Sequence, residues 1–118
     1  MVSPVTLQSA VAYDAADLDG ETLDTQHFNA VQVWFTPAGS YDGTATFQVS
    51  PDGEATWFTI DGRLASTIET PLNAVASPAA TGLYIVPVPS RCRFRVVMSG
   101  GTQGALTVEA LPCFYNGL

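Results

Sequence analysis

Apolar and polar residues alternate with a period of two along much of this chain, and this alternation constrains the fold more than any other feature. It is clearest in Thr44–Ser50, where three apolar residues alternate with four polar ones. A repeat of two residues is typical of a β-strand with one buried face. Pro51-Asp52-Gly53 is a strong turn signal, so we predict that Trp57–Ile60 returns as the partner strand.

Similar patterns predict strands elsewhere, at Val5–Tyr13, His27–Phe35, Leu83–Val88, Arg91–Met98 and Ala105–Leu111. Alternate residues from Val5 to Tyr13 are expected to share one face. We expect an acidic loop over Asp14–Asp24, a break at Pro37–Ser40 and a long connection with one short strand over Thr67–Gly82. No segment is predicted to be a helix. Seven or eight short strands with frequent turns predict an all-β fold, an antiparallel β-sandwich of jelly-roll-like type, with residues 1–118 as a single domain.

The charges are few and strongly unbalanced. Eleven acids and four arginines, without lysine, give a net charge of −7 and a pI near 4.1. Such a surface repels phosphate groups, so we expect neither a nucleic-acid partner nor a membrane partner. Arg91, Arg93 and Arg95 stand at alternate positions and are predicted to share one strand face. Either acids of the same chain pair with this face, or it meets an acidic patch on a partner.

Residues with catalytic chemistry are sparse. His27 is the single histidine, and the motifs of nucleophile elbows, phosphate-binding loops and Cys-x-x-Cys pairs do not occur. The acidic segment does not match the EF-hand calcium loop. Ala15 falls at the first position, where an oxygen ligand is needed, and Gln26 falls where the loop requires a bidentate glutamate. A different oxygen cage in that loop stays open as an alternative to a solvated acidic loop. We therefore expect no enzyme activity, no catalytic residues, no metal and no cofactor.

The sequence contains two cysteines that could form a disulfide. If the loop Ser99–Gly104 is a hairpin between the last two predicted strands, residues equidistant from its centre oppose each other, and Cys92 lies opposite residues 111 to 113. Cys92 and Cys113 would then be near enough for a disulfide. Two free thiols are the alternative, and cytosolic synthesis favours them.

Aromatic residues supply either core packing or binding surface. Trp34 alternates with Val31, Val33 and Phe35, so one of these two faces is expected to be exposed or in an interface. The apolar tail makes Phe114 and Tyr115 further interface candidates, together with the three clustered arginines. Trp57, Tyr41 and Asp52 are the candidates for facing a ligand such as a glycan.

The ends of the chain bear on location. No apolar run reaches the roughly 18 residues of a membrane span, and the first ten residues lack the basic and apolar regions of a secretory signal. We expect synthesis in the cytoplasm, after which the protein either stays there or leaves by a route other than its own signal.

Two blocks carry a resemblance. One is Gly43-Thr44-Ala45-Thr46-Phe47-Gln48-Val49-Ser50-Pro51-Asp52-Gly53 with Thr56-Trp57-Phe58. The other is Leu83–Pro89 followed by Arg93–Gly101 and the last strand. From Phe28 onward the chain resembles small β-sandwich virion proteins of tailed bacteriophages. Pro51 and the inserted Glu54-Ala55 depart from that pattern. The hairpin is also similar to that of discoidin-like and other jelly-roll carbohydrate-binding modules.

The virion resemblance implies a capsid decoration protein that binds the major capsid protein or other virion proteins, commonly as a homotrimer, and strengthens the shell. It transfers no catalytic residues. A carbohydrate-binding module and a tail or adsorption component are the alternatives. The sequence does not indicate whether the protein would lie on the head or on the tail of a particle.

Overall fold

The described part of the chain forms eleven short strands. The computed structural model describes residues 3–67, 70–72, 74–76 and 82–115. The strands are β1 (Val5–Ala12), β2 (Leu23–Asp24), β3 (Ala30–Ala38), β4 (Thr44–Ser50), β5 (Phe58–Thr59), β6 (Gly62–Leu64), β7 (Pro71–Leu72), β8 (Ala74–Ala76), β9 (Leu83–Pro87), β10 (Arg93–Ser99) and β11 (Ala105–Cys113). Within the described part of the chain the helical content is a single 3₁₀ turn, Ala65–Thr67.

These strands build two antiparallel sheets. The six-stranded sheet has the order β1-β11-β3-β9-β6-β7, and the five-stranded sheet has the order β2-β10-β4-β5, with β8 also pairing β4. The predicted all-β sandwich is confirmed. The predicted hairpin is confirmed too, because Gln48 lies opposite Thr59 and Val49 opposite Phe58.

The core lies between the sheets and is formed by the alternating apolar residues. Val31, Val33 and Phe35 of β3 face it, as do Phe47 of β4 and Phe94 of β10. The Phe47 ring stacks with Phe94 at 6.3 Å between ring centroids and lies 6.5 Å from Phe35, so it joins the two sheets. Burial of these faces is the main driving force for the fold.

The first strand does not alternate as predicted. Its pairing with β11 shifts register between Thr6 and Gln8 and again between Gln8 and Val11. Leu7 and Gln8 are therefore both buried, whereas Ser9 and Ala10 are both exposed. A β-bulge turns successive side chains to the same face in this way, and Ala10 has a left-handed φ of 48°.

Two predicted strand ends were also wrong. His27 lies in a turn before β3, because Gln26 takes a φ of 52° and the Phe28 amide donates to the Thr25 carbonyl. At the other end β3 continues through Pro37 to Ala38. Pairing with β9 stops at Trp34, so Pro37 has one neighbouring strand and its lack of an N–H is tolerated.

The predicted hairpin between the last two strands was wrong. β10 pairs with β2 and β4, whereas β11 pairs with β1 and β3. The glycine-rich segment Ser99–Gly104 therefore crosses from one sheet to the other.

The segment after residue 67 contains two short strands where the structure describes it, one more than predicted. They are β7, in the six-stranded sheet, and β8, in the five-stranded sheet. Residues 68, 69, 73 and 77–81 lie outside the described residues.

The acidic segment 14–24 ends in β2 and lies against both sheets. The Leu18 carbonyl accepts the Met98 amide of β10 at 2.9 Å, and the Glu21 amide donates to the Leu7 carbonyl of β1 at 2.9 Å. Buried Gln8 joins the same contacts, because its Nε2 donates to the carbonyls of Leu18 and Val96 at 3.0 and 2.9 Å. The backbone of the segment is thus fixed to the sandwich, while its acidic residues are exposed to solvent.

Candidate functional site

The predicted interface residues fall into two regions of the sandwich. Trp34 lies on the outer face of the six-stranded sheet. Arg91, Arg93, Arg95, Phe114 and Tyr115 lie at or next to one end, where β10 begins and β11 finishes. We call this end, formed by residues 24–29, 51–57, 88–92 and 113–115, the Arg91 end. Arg91 belongs to this end, and Arg93 and Arg95 lie next to it at the start of β10.

Arg91 is not on the strand face that the sequence predicted for the three arginines. Strand β10 begins at Arg93, and Arg91 sits in the preceding turn with a φ of 60°. Its backbone amide donates to the Gln26 carbonyl at 2.6 Å. This bond joins the connection between β9 and β10 to the connection between β2 and β3.

Arg95 is engaged by its own chain. Its Nε donates to Gln48 Oε1 at 2.9 Å, its Nη1 lies 3.4 Å from Asp19 Oδ2, and its guanidinium carbon lies 4.0 Å from the centre of the Trp57 ring. The guanidinium therefore covers one face of half-buried Trp57, a cation–π geometry. Trp57 shares its ring face with Arg95, which reduces the surface it offers to a ligand.

Arg93 and Asp52 also have partners nearby. Arg93 Nε lies 3.9 Å from Glu54 Oε2, an exposed and weak ion pair. Asp52 Oδ1 accepts the Ser50 hydroxyl at 2.8 Å and the Thr56 amide at 2.9 Å. The Thr56 and Ser50 hydrogen bonds lower the pKa of Asp52, so its carboxylate holds the turn together.

Tyr41 was predicted to face a ligand, and this was wrong. Its side chain is buried, packed where Gly43 and Gly101 leave room. Burial, and then the charge of Asp42, raise the pKa of its phenol. Tyr41 precedes β4 and Asp52 follows it, so a seven-residue strand holds them roughly 20 Å apart. The three predicted ligand-facing residues therefore do not form one site.

A pocket of about 350 Å³ opens at the Arg91 end instead. It is lined by Asp24, Gln26, His27 and Arg91. Asp24 Oδ1 accepts the Gln26 amide at 2.9 Å. Both Gln26 and Arg91 have left-handed φ angles, which are uncommon outside glycine. Non-glycine residues with left-handed φ angles cluster at functional sites.

Aromatic rings stand next to this pocket. His27 stacks on Phe28 with 4.5 Å between ring centroids, and Phe114 lies 5.5 Å from His27 and 5.0 Å from Phe28. Asn29 and Tyr115 hold the tail in place through two hydrogen bonds, at 2.9 and 3.2 Å. Phe114 nevertheless keeps 60% of its surface exposed, so the cluster presents an accessible ring.

Trp34 lies on a separate surface. Its face of the six-stranded sheet points away from the core, as the burial of Val31, Val33 and Phe35 requires. Trp34 is opposite Leu83 on β9 and Glu109 on β11. We call the outer patch of Gln32, Trp34, Leu83, Glu109 and Leu111 the Trp34 face. Leu83 is 39% exposed, so the patch presents three apolar side chains beside one amide and one carboxylate.

The two cysteines are free. Cys92 is buried just before β10 in the five-stranded sheet, and Cys113 ends β11 in the six-stranded sheet. The argument for a disulfide rested on a hairpin that does not form. Burial raises the pKa of the Cys113 thiol, and hydrogen bonds with Gln32 lower it in part.

Among the residues that the structure describes, no group of histidine, cysteine and carboxylate side chains could hold a metal ion. In that same part of the chain no helix is long and apolar enough to cross a membrane.

No feature of the sequence indicated the Arg91 pocket. Its four lining residues come from two segments more than sixty residues apart, and none of them belongs to a motif. Of the four, only Arg91 was predicted to be an interface residue, and on a strand face that it does not occupy.

Comparisons with known proteins define the class by fold. No family model and no curated protein matches the sequence. The chain is similar in structure to the SPBc2 prophage-derived protein YomS, with a TM-score of 0.63, 10% identity and 94% of each chain covered. It is also similar to the PBSX exported protein XepA, with a TM-score of 0.77 and 10% identity. That match covers 95% of this chain but 37% of XepA.

These two likenesses show a shared β-sandwich fold. They show the fold alone, because 10% identity gives no residue-by-residue correspondence. The resemblance to β-sandwich phage proteins, drawn from two sequence blocks, is confirmed at the level of the fold.

Proposed function

We propose that this chain is a structural protein of a tailed-phage virion, with capsid decoration as its specific role. The observation that carries the proposal is the fold match to a prophage-derived protein over 94% of both chains. The sequence resemblance to virion sandwich proteins, which rests on the Thr44–Ser50 hairpin and the β10 block, supports it independently. The role is one of binding and assembly, without catalysis.

The Trp34 face is the surface we propose for contact with the major capsid protein or another virion subunit. Large aromatic residues with aliphatic neighbours are enriched where interfaces are most strongly stabilised. Trp34, Leu83 and Leu111 provide such a patch, and the net charge of −7 keeps particles apart. We propose a homotrimer, since closure about an axis would cover the exposed edge of β1.

The experiment is cryo-electron microscopy of particles that carry this chain, with subunit copy number measured by mass spectrometry. Regular copies on the capsid lattice, with the Trp34 face buried, are the expected result. Copies confined to the tail would replace decoration with an adsorption role. Absence of the chain from purified particles would overturn the virion proposal.

A matched pair of variants tests the surface. Trp34→Ser removes the ring at the centre of the Trp34 face, and we expect particle occupancy to fall at least about tenfold, as for an interface anchor. Phe58→Ser removes an aromatic residue that is 54% exposed on the other sheet and should leave occupancy unchanged. Equal losses for the two variants would contradict the assignment of the Trp34 face.

Glycan binding is the second candidate function, and the Arg91 pocket is the observation that favours it. A pocket with an arginine, an amide, a carboxylate and nearby aromatic rings offers the donors, acceptors and ring surface that sugars use.

A further inference from the structure

The Arg91 pocket has the dimensions of a small-molecule site. Its volume of about 350 Å³ lies at the lower end of the range of ligand pockets, which suits one sugar ring with its substituents. It is open to solvent at the Arg91 end.

Arg91 differs from the two other arginines of this region. Arg95 is held by Gln48, Asp19 and Trp57, and Arg93 faces Glu54. Across the described part of the chain, the Arg91 side chain has neither a hydrogen bond nor an ion pair within the protein. An unpaired guanidinium at the rim of a pocket fits a planar carboxylate with two parallel hydrogen bonds.

The backbone presents these side chains at a cost. Gln26 and Arg91 both take left-handed φ angles, of 52° and 60°, and are joined by the Arg91 amide and the Gln26 carbonyl at 2.6 Å. Glycine would adopt this backbone more easily at both positions. Two of the five non-glycine residues with left-handed φ in the described part of the chain therefore line one pocket, and such strained backbone is found at functional sites.

The remaining walls match a sugar ring better than a simple acid. Asp24 and Gln26 supply acceptors and donors for ring hydroxyls. His27, stacked on Phe28 and next to exposed Phe114, supplies a flat apolar surface for the C–H face of a pyranose. The net charge of −7 repels polyphosphates and other polyanions more strongly than a ligand with one carboxylate.

We propose that the Arg91 pocket binds a carboxylated sugar of the uronic-acid class, with Arg91 on the carboxylate and His27 beneath the ring. The site gives the protein an affinity for acidic glycans that is separate from its attachment to a particle. This inference deepens the glycan-binding candidate and does not require the virion role.

The experiment is a titration of the ¹⁵N-labelled full chain with sodium glucuronate, followed by amide chemical shifts. We expect saturable shifts for residues 24–27 and 90–92 with a millimolar dissociation constant. Glucose, which lacks the carboxylate, should bind at least about tenfold more weakly. The proposal would be overturned if the shifts did not saturate up to about 50 mM glucuronate, because the dissociation constant would then be too large for specific binding.

Arg91→Gly is the informative variant, because glycine suits the φ of 60° and the fold is retained while the guanidinium is lost. We expect glucuronate affinity to fall at least about tenfold, the usual loss for a hydrogen-bonded charge. Arg93→Ala, two residues away on the outer sheet face, is the control and should bind normally. An equal loss in both variants would contradict the role of Arg91.

N-acetylglutamate separates a sugar site from a general carboxylate site. It carries carboxylates without a pyranose ring, and we expect it to bind more weakly than glucuronate. Its affinity should be the same for the native chain and for His27→Ala. Equal affinity for both ligands would overturn the sugar assignment. These solution measurements are independent of particle location, so a failure here and a failure of the virion proposal would be distinguishable.

Discussion

A single carboxylate, Asp42, organises the end of the sandwich opposite the Arg91 pocket. Its oxygens accept the Thr102 hydroxyl and the amides of Thr102 and Gln103, which ties the β3–β4 connection to the β10–β11 connection. The Thr102 hydrogen bonds, from the hydroxyl and then the amide, hold the pKa of Asp42 below its ordinary value. The carboxylate is therefore more strongly bound when it is charged.

This shift predicts how stability depends on pH. Because the folded pKa is depressed, the contribution of Asp42 is fully present above the ordinary carboxyl pKa of about 4 and is lost as the pH falls through the folded value. Asp52, whose pKa is also lowered, adds to the same trend. Urea unfolding followed by tryptophan fluorescence should show stability falling below about pH 4.

Asp42→Asn tests the assignment. The variant should be less stable than the native chain at pH 7, and the difference should shrink towards pH 2, where the native carboxylate is protonated as well. Asp14→Asn, which removes the same charge from an exposed loop position, is the control. A stability difference for Asp42→Asn that is constant from pH 7 to pH 2 would contradict a charge-dependent contribution.

Gly62 is required by close packing. A Cβ at this position would lie 2.6 Å from Phe47 Cε2 and 3.0 Å from Val86 Cγ2, both in the core. Because Phe47 is fully buried, we expect Gly62→Ala to reduce the free energy of unfolding by about 1–3 kcal/mol. Gly53→Asn is the control, since nothing lies within 4 Å of Gly53 and asparagine tolerates its φ of 74°. Equal stability of Gly62→Ala and the native chain in urea would contradict the packing.

At the scale of elements, Gln8 connects the acidic segment to both sheets. Its side chain is 2% exposed, and its amide nitrogen donates to the Leu18 carbonyl in that segment and to the Val96 carbonyl in β10. Gly20 must stay without a side chain here, since a Cβ would lie 2.5 Å from the same nitrogen. The bulge in β1 is what turns Gln8 inward.

Gln8→Leu is expected to loosen this contact while keeping the volume of the side chain. The variant leaves the Val96 carbonyl without its donor, so we expect a loss of about 1–3 kcal/mol in the free energy of unfolding. Hydrogen exchange of the Met98 and Glu21 amides, which bond across the segment, should become faster. Ser9→Ala, at the exposed neighbouring position, should change neither. Unchanged exchange in Gln8→Leu would show that Leu18 is fixed by other contacts.

At the scale of the whole molecule, the strands were predictable and their partners were not. Alternation is a local property, so Thr44–Ser50 and the β5 return could be predicted from the residues alone. The short glycine-rich segment after Ser99 has a composition typical of a hairpin loop, but a connection that crosses between two sheets can have the same composition. The Arg91 pocket escaped prediction for a related reason, since it exists only where two distant connections meet. Left-handed backbone at Gln26 and Arg91 has no sequence signature when the residue is not glycine.

The cysteines allow a direct test of one feature of the whole molecule. Cys92 and Cys113 are free thiols, and we expect the same melting temperature with and without reductant. In denaturant without reductant, Ellman's reagent should titrate both thiols, and in Cys92→Ala it should titrate Cys113 alone. Labelling of the native chain should be slow, because Cys92 is buried and burial raises the pKa of Cys113, which lowers its thiolate fraction. If the thiols became titratable only after reduction, the two cysteines would be bonded, and their assignment as free thiols would be wrong.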